Sequence, residues 1–139
     1  MTVRIAALSE QPLDFASHAA AVSGEMNGAV ASFTGLVRNH DPGASGEVNQ
    51  LDYSAHPDAE AKLREIAASL DAPGLEIAVS HRTGTLAVGD IAIVACVGSA
   101  HRAEAFDVCR ELVETVKREL PVWKRQHTVD GATNWVGIV

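Results

Sequence analysis

At 139 residues the chain has room for one domain, and a core of that size needs no disulfide or metal to hold it. Apolar residues make up 47% and charged residues 21%, which excludes a disordered or collagen-like chain, and no apolar run approaches the roughly 20 residues of a bilayer span. Net charge is −7, and residues 1–100 carry 5 basic and 12 acidic side chains against 6 of each in residues 101–139; that leaves no basic face for duplex nucleic acid, whereas a small anion needs only a local positive pocket.

The opening segment MTVRIAALSEQP has neither the apolar core nor the cleavage site of a signal peptide, so a cytoplasmic location and no membrane association are expected. VRIAAL (3–8) reads as a strand. Pro12 to Val22 reads as a short Ala-rich helix with Pro12 in its first turn. Residues 28–38 read as a long strand, with Gly28 and Gly35 as candidate bulges. NHDPGASG (39–46) has the composition of a loop, and it follows Arg38 directly.

EVNQLDYSA (47–55) alternates as a half-buried strand does. Between Pro57 and Leu70, apolar residues Ala59, Leu63, Ile66, Ala67 and Leu70 fall at helical spacing. LEIAVSHRTG (75–84) reads as one strand, VGD (88–90) as a turn and IAIVACVGSA (91–100) as a central strand. A helix is expected from about Ala100 to Leu120, stopped by Pro121. One or two short strands then flank the Asp130-Gly131 turn. The sum is an α+β domain spanning residues 1–139, with a mixed sheet and about three helices.

The long helix carries an apolar stripe of Ala105, Val108, Cys109, Leu112, Val113, Val116 and Leu120. Glu104, Asp107, Glu111, Glu114 and Arg118 lie opposite. Lys117 falls at the border of the stripe, a setting that lowers a lysine pKa. Lys124 follows seven residues on, across the Pro121 break, which turns the chain back toward the helix end. The two are either a functional pair or surface lysines with buried stems.

At the other end Ser99 is the expected N-cap, and His101 and Arg102 follow it on the stripe side of the wheel. A first-turn arginine opposes the helix dipole, so it calls for either a bound anion or a neighbouring carboxylate. Arg38 is a third cationic candidate, or else a strand-end surface arginine. His18, His56, His81 and His127 show no metal-ligand spacing, and no metal site is expected. Cys96 and Cys109 match no redox or zinc pattern and read as buried small hydrophobes.

Five blocks resemble, in order, the large catalytic subunit of molybdopterin synthase: FTGLVRNH (33–40), LDYSAHPDAEAKL (51–63), HRTGTLAVGD (81–90), SAHRAEAF (99–106) and KRELPVWKR (117–125). The resemblance runs from about Gly28 to Trp135. It implies an α/β-hammerhead fold and a homodimer within a heterotetramer. A small ubiquitin-like sulfur-carrier subunit would bring a C-terminal Gly-Gly thiocarboxylate. The implied reaction is sulfurtransferase chemistry on cyclic pyranopterin monophosphate, giving the molybdopterin dithiolene without a metal or cofactor.

Residue by residue, the resemblance implies that Lys117 and Lys124 are catalytic and that Arg38, His101 and Arg102 bind substrate. Family tails often carry a further basic residue after the tryptophan. Here Val136, Gly137, Ile138 and Val139 follow Trp135, leaving that pocket one cation short. Two other readings use the same residues: an inactive partner-binding module of this fold, and a stand-alone enzyme acting on a cyclic phosphate. Both lysines and the His-Arg pair weigh against the first, and the lack of paired carboxylates weighs against the second.

Overall fold

A computed structural model describes residues 2–39 and 47–128 in full and residues 133–138 as backbone. The elements are β1 (Val3–Ser9), α1 (Phe15–Ala21), β2 (Ala29–Leu36), β3 (Val48–Ala55), α2 (Ala59–Ser69), β4 (Glu76–Arg82), β5 (Gly84–Ala87), β6 (Ile91–Ser99), α3 (Arg102–Glu119), β7 (Val122–Thr128) and β8 (Thr133–Ile138).

They build two four-stranded sheets rather than one. The first has the order β1-β4-β6-β2, parallel between β1 and β4 and antiparallel elsewhere. The second has the order β5-β3-β7-β8 and is antiparallel throughout. Three helices and mixed pairing agree with the expected α+β class. No helix among the described residues is long and apolar enough to cross a membrane.

The expected single strand at 75–84 is two elements in different sheets. Strand β4 ends at Arg82, and Gly84, at φ +91°, breaks the extended run and starts β5 in the second sheet. The chain returns through Gly89, at φ +92°, where the Val88–Asp90 turn is held by Asp90 N–H to the Ala87 carbonyl at 3.0 Å and Ala87 N–H to Asp90 Oδ2 at 2.9 Å. Apolar Leu75, Ile77, Ala78 and Val79 signal burial but carry no information about which sheet receives the next residues.

The first helix starts later than the proline suggested. Asp14 takes the N-cap, its Oδ1 accepting from Ala16 N–H at 3.1 Å, and Pro12 stays in the approach. In β2 the register slips between Gly35 and Leu36, as expected of a bulge, whereas Gly28 lies just before the strand. A Cβ at Gly35 would stand 2.6 Å from Ile93 Cγ2, so the close approach of β2 to β6 requires glycine there. Most of the 39–46 loop and the Asp130-Gly131 turn lie outside the described residues.

Helices α2 and α3 cover one face of the first sheet, while α1 covers the other against Ala78, Val94 and Cys96. The main core runs between α2, α3 and both sheets, with Leu63, Ile77, Ile93 and Leu112 completely buried. Each such side chain contributes about 1.5–3 kcal/mol over its exposed state. Both thiols are buried and free, and burial pushes Cys96 up to about 11, so neither is poised as a nucleophile.

Candidate functional site

Helix α3 ends where its sequence says it must. Leu120 adopts an extended backbone, φ −70° and ψ 122°, immediately before Pro121. Leu120 and Val122 are both buried and anchor the turn from either side of the proline. The chain therefore doubles back as β7, and Lys124 lands directly across from Tyr53 of β3. Strand alternation puts Lys124 on the same face as Val122, beside the last turn of α3.

Lys117 and Lys124 line one cleft of about 490 Å³ with Arg38. Its walls are the end of β2 from Phe33 to Leu36 with Val37 just beyond it, Ala92 of β6, and Val48, Leu51 and Tyr53 of β3. That volume matches a small-molecule site, and the lining combines apolar and aromatic walls with a few cations. The third lysine, Lys62, is engaged elsewhere, 3.6 Å from both Glu65 and Glu119.

Burial in the cleft lowers the Lys117 pKa, Lys124 lowers it further by repulsion, and Glu114 opposes both. The residue as a whole is exposed, but its amine stands among walls that replace much of its water. The negative end of the α3 dipole favours the charged form at this position, so the cleft overrides a helix-end preference. An amine held below its ordinary range exchanges protons more readily near neutral pH.

His81, which sequence spacing did not single out, stands behind the cleft. It is 2% exposed, and its Nδ1–H donates to the Arg82 carbonyl at 2.7 Å. Its ring meets Tyr53 edge-on, 5.1 Å between centroids at 79°. Burial, opposed by that hydrogen bond and reinforced by the Lys117 charge, brings its pKa down to about 4. A neutral imidazole thus braces Tyr53 without adding a charge to the lysine pair. Only the β4–β3 packing reveals this, and no sequence motif announces it.

Three other histidines have structural bonds. His56 Nδ1 accepts from Asp58 N–H at 3.1 Å. His18 Nδ1–H donates to the Asp14 carbonyl at 2.6 Å and its Nε2 accepts from Ser80 at 2.7 Å, while His127 Nε2–H donates to Asp52 at 2.7 Å. Among the described residues no group of three or more His, Cys, Asp or Glu could hold a metal ion.

His101 and Arg102 are not in this cleft. His101, rather than Ser99, is the N-cap of α3, and it makes no side-chain cap bond; Ser99 is instead the last residue of β6. Strand pairing with Ala29 claims Ser99, so the helix starts two residues later than its hydroxyl suggested. His101 and Arg102 are both exposed rather than turned onto the apolar stripe. Arg102 lies 15 residues from Lys117, about 22 Å along the helix axis. The fold of one chain therefore gathers three of the five expected cations.

The sequence profile described as MoaE protein matches residues 8–119. A molybdopterin synthase catalytic subunit 1 from Mycobacterium tuberculosis is 41% identical over 94% of this chain and 88% of its own length. A molybdopterin synthase catalytic subunit from Nostoc is 36% identical over 95% of this chain and 81% of its own length. Among solved structures, molybdopterin synthase from Staphylococcus aureus superposes with a TM-score of 0.85 at 32% identity, covering 94% of this chain and 95% of the other. A Helicobacter pylori complex of subunits 1 and 2 of molybdopterin-converting factor shares the fold, with a TM-score of 0.69 at 16% identity over 99% of this chain and 90% of the other.

Proposed function

The chain belongs to the MoaE family of molybdopterin synthase catalytic subunits, and from that premise we propose that the Lys117–Lys124–Arg38 cleft carries out sulfur transfer to a pterin. The donor is the thiocarboxylated C-terminus of a small ubiquitin-like subunit, and the acceptor is cyclic pyranopterin monophosphate. The carrying observation is the convergence of two lysines and an arginine, from three separate segments, on one cleft in a chain of net charge −7.

The chemistry assigns work to each group. The thiocarboxylate sulfur forms a bond to a substrate carbon as that carbon's C–O bond breaks, the oxygen leaving on the opened cyclic phosphate or, from a carbonyl or its hydrate, as water. A further water then cleaves the resulting thioester. The tail leaves as a carboxylate, and the sulfur stays on the pterin. A second thiocarboxylated tail supplies the second sulfur. Hydrolysis passes through a tetrahedral oxyanion, which a lysine ammonium stabilises, and it needs a group that gives and takes protons. Lys117, its pKa lowered, stands beside the incoming tail, and Lys124 is the second acid–base or charge-stabilising group. Arg38 meets the substrate's phosphate.

His101 and Arg102 enter this reading from a second copy of the chain. One chain holds them about 22 Å from Lys117, so a shared site requires a homodimer in which each α3 start faces the neighbour's cleft. The supporting observation is their exposure at a helix start where four N–H groups are available to an anion.

The test is a reconstituted assay with the thiocarboxylated small subunit and cyclic pyranopterin monophosphate. Lys117→Ala is expected to lower the rate about 10²- to 10⁴-fold while leaving small-subunit binding intact. Full activity in that variant overturns the assignment of Lys117. An unmodified protein that binds the small subunit but makes no product overturns the enzymatic reading and leaves the partner-binding module.

A further inference from the structure

Arg82 follows His81 at the end of β4 and points to the opposite face of the sheet, as strand alternation requires. His81 faces the catalytic cleft through Tyr53, whereas Arg82 lines a separate cleft of about 240 Å³ on the α1 side. Arg82 is 7% exposed. Among the described residues its side chain makes one hydrogen bond, Nη2–H to the Glu10 carbonyl at 3.3 Å, and no carboxylate lies within ion-pair distance. Its Nε is sealed from water and has no partner. A mostly buried guanidinium with an unpartnered Nε and one long carbonyl bond is costly, and the nitrogens that reach the cleft are open to an anion there.

The walls around it are rigid. Pro12 has a fixed φ, and the Gly89–Asp90 turn is closed by Gly89 N–H to the Val37 carbonyl at 2.8 Å and Val37 N–H to the Asp90 carbonyl at 2.9 Å. Leu13 and Ile91 supply apolar surface. Asp90 lines the same cleft and opposes a second negative charge.

We propose that this cleft is a second ligand site, distinct from the lysine cleft, which binds a small monocarboxylate on the Arg82 guanidinium. A carboxylate accepts two parallel N–H bonds from arginine, and its single charge suits a lining of one cation and one anion. A dianionic phosphate meets Asp90 at the same rim and is excluded by it.

The test is a titration of the isotopically labelled chain with sodium acetate, replacing sodium chloride at constant ionic strength and followed by NMR. The Gly89 and Ile91 amides and the Arg82 Nε–H are expected to shift and saturate together. In Arg82→Gln the apparent affinity at Gly89 and Ile91 falls about tenfold or more, while any acetate response at Gly35 in the lysine cleft persists. Shifts that do not saturate, or that survive unchanged in Arg82→Gln, overturn the proposal. Should Arg82→Gln fail to fold, Asp90→Asn decides. It keeps an acceptor for the Ala87 N–H and is expected to admit inorganic phosphate with at least a severalfold gain in affinity, whereas unchanged phosphate and acetate responses overturn the site.

Discussion

The two ends of α3 carry the same kind of chemistry and have opposite surroundings. At its end, Lys117 meets β7 and β3, and the walls of one cleft surround its amine. At its start, His101 and Arg102 stand exposed, and neither lines that cleft. The stripe from Ala105 to Val116 is buried throughout except for half-buried Val108, so one rigid helix fixes both ends. The electrostatics of a cation on this helix thus depend on what is packed around it. Lys117 has that packing within its own chain, and Arg102 does not.

Complementation between chains gives the largest effect. Lys117→Ala and Arg102→Ala, each inactive alone, are expected to regain about a quarter of wild-type activity when mixed and allowed to exchange partners, because half the dimers then hold one complete site of two. No recovery in the mixture, with both chains folded and exchanging, breaks the cross-subunit assignment.

Leu112 lies mid-helix and is completely buried against the main core, so it secures both ends at once. Leu112→Ala is expected to lower unfolding free energy by about 2–5 kcal/mol in urea denaturation. A loss below 1 kcal/mol contradicts the rigid-helix account.

His81 sharpens the comparison through pH. Its pKa falls from 6.5 in the unfolded chain to about 4 in the folded one. The unfolded state therefore binds the extra proton first, and stability is lost as pH drops from about 6.5 toward 4, by about 3 kcal/mol at most. His81→Gln is expected to flatten the stability curve across that window and to leave its pH dependence, though not its level, unchanged above pH 7.

The smallest effect is electrostatic. Lys124 repels the Lys117 ammonium, so Lys124→Ala is expected to move the Lys117 pKa upward, read by NMR titration of the labelled lysine side chain. A downward move contradicts the pairing of the two amines.

Much of this was legible in the chain itself. The stripe of α3, its stop at Pro121 and the return of Lys124 follow from helical spacing and from proline's missing N–H. Both were observed. The α1 start was misplaced because Pro12 is tolerated in a first turn but does not fix one, while Asp14 supplies the hydrogen bond. Ser99 looked like a cap until β2 claimed it as a strand residue. The split of 75–84 into β4 and β5 was hidden because burial on both faces erases the alternation that identifies a strand's partner.

The sequence by itself determined the α+β class, the position of the long helix, the family and the identity of the candidate cations. Those depend on local spacing and on residue types. Tertiary structure alone decided which cations share a cleft, that His81 braces Tyr53 as a neutral ring, and that Arg82 is buried without a carboxylate. Each of these depends on residues distant in the chain meeting across two sheets, where desolvation and charge act over a few ångströms of space and take no account of sequence separation.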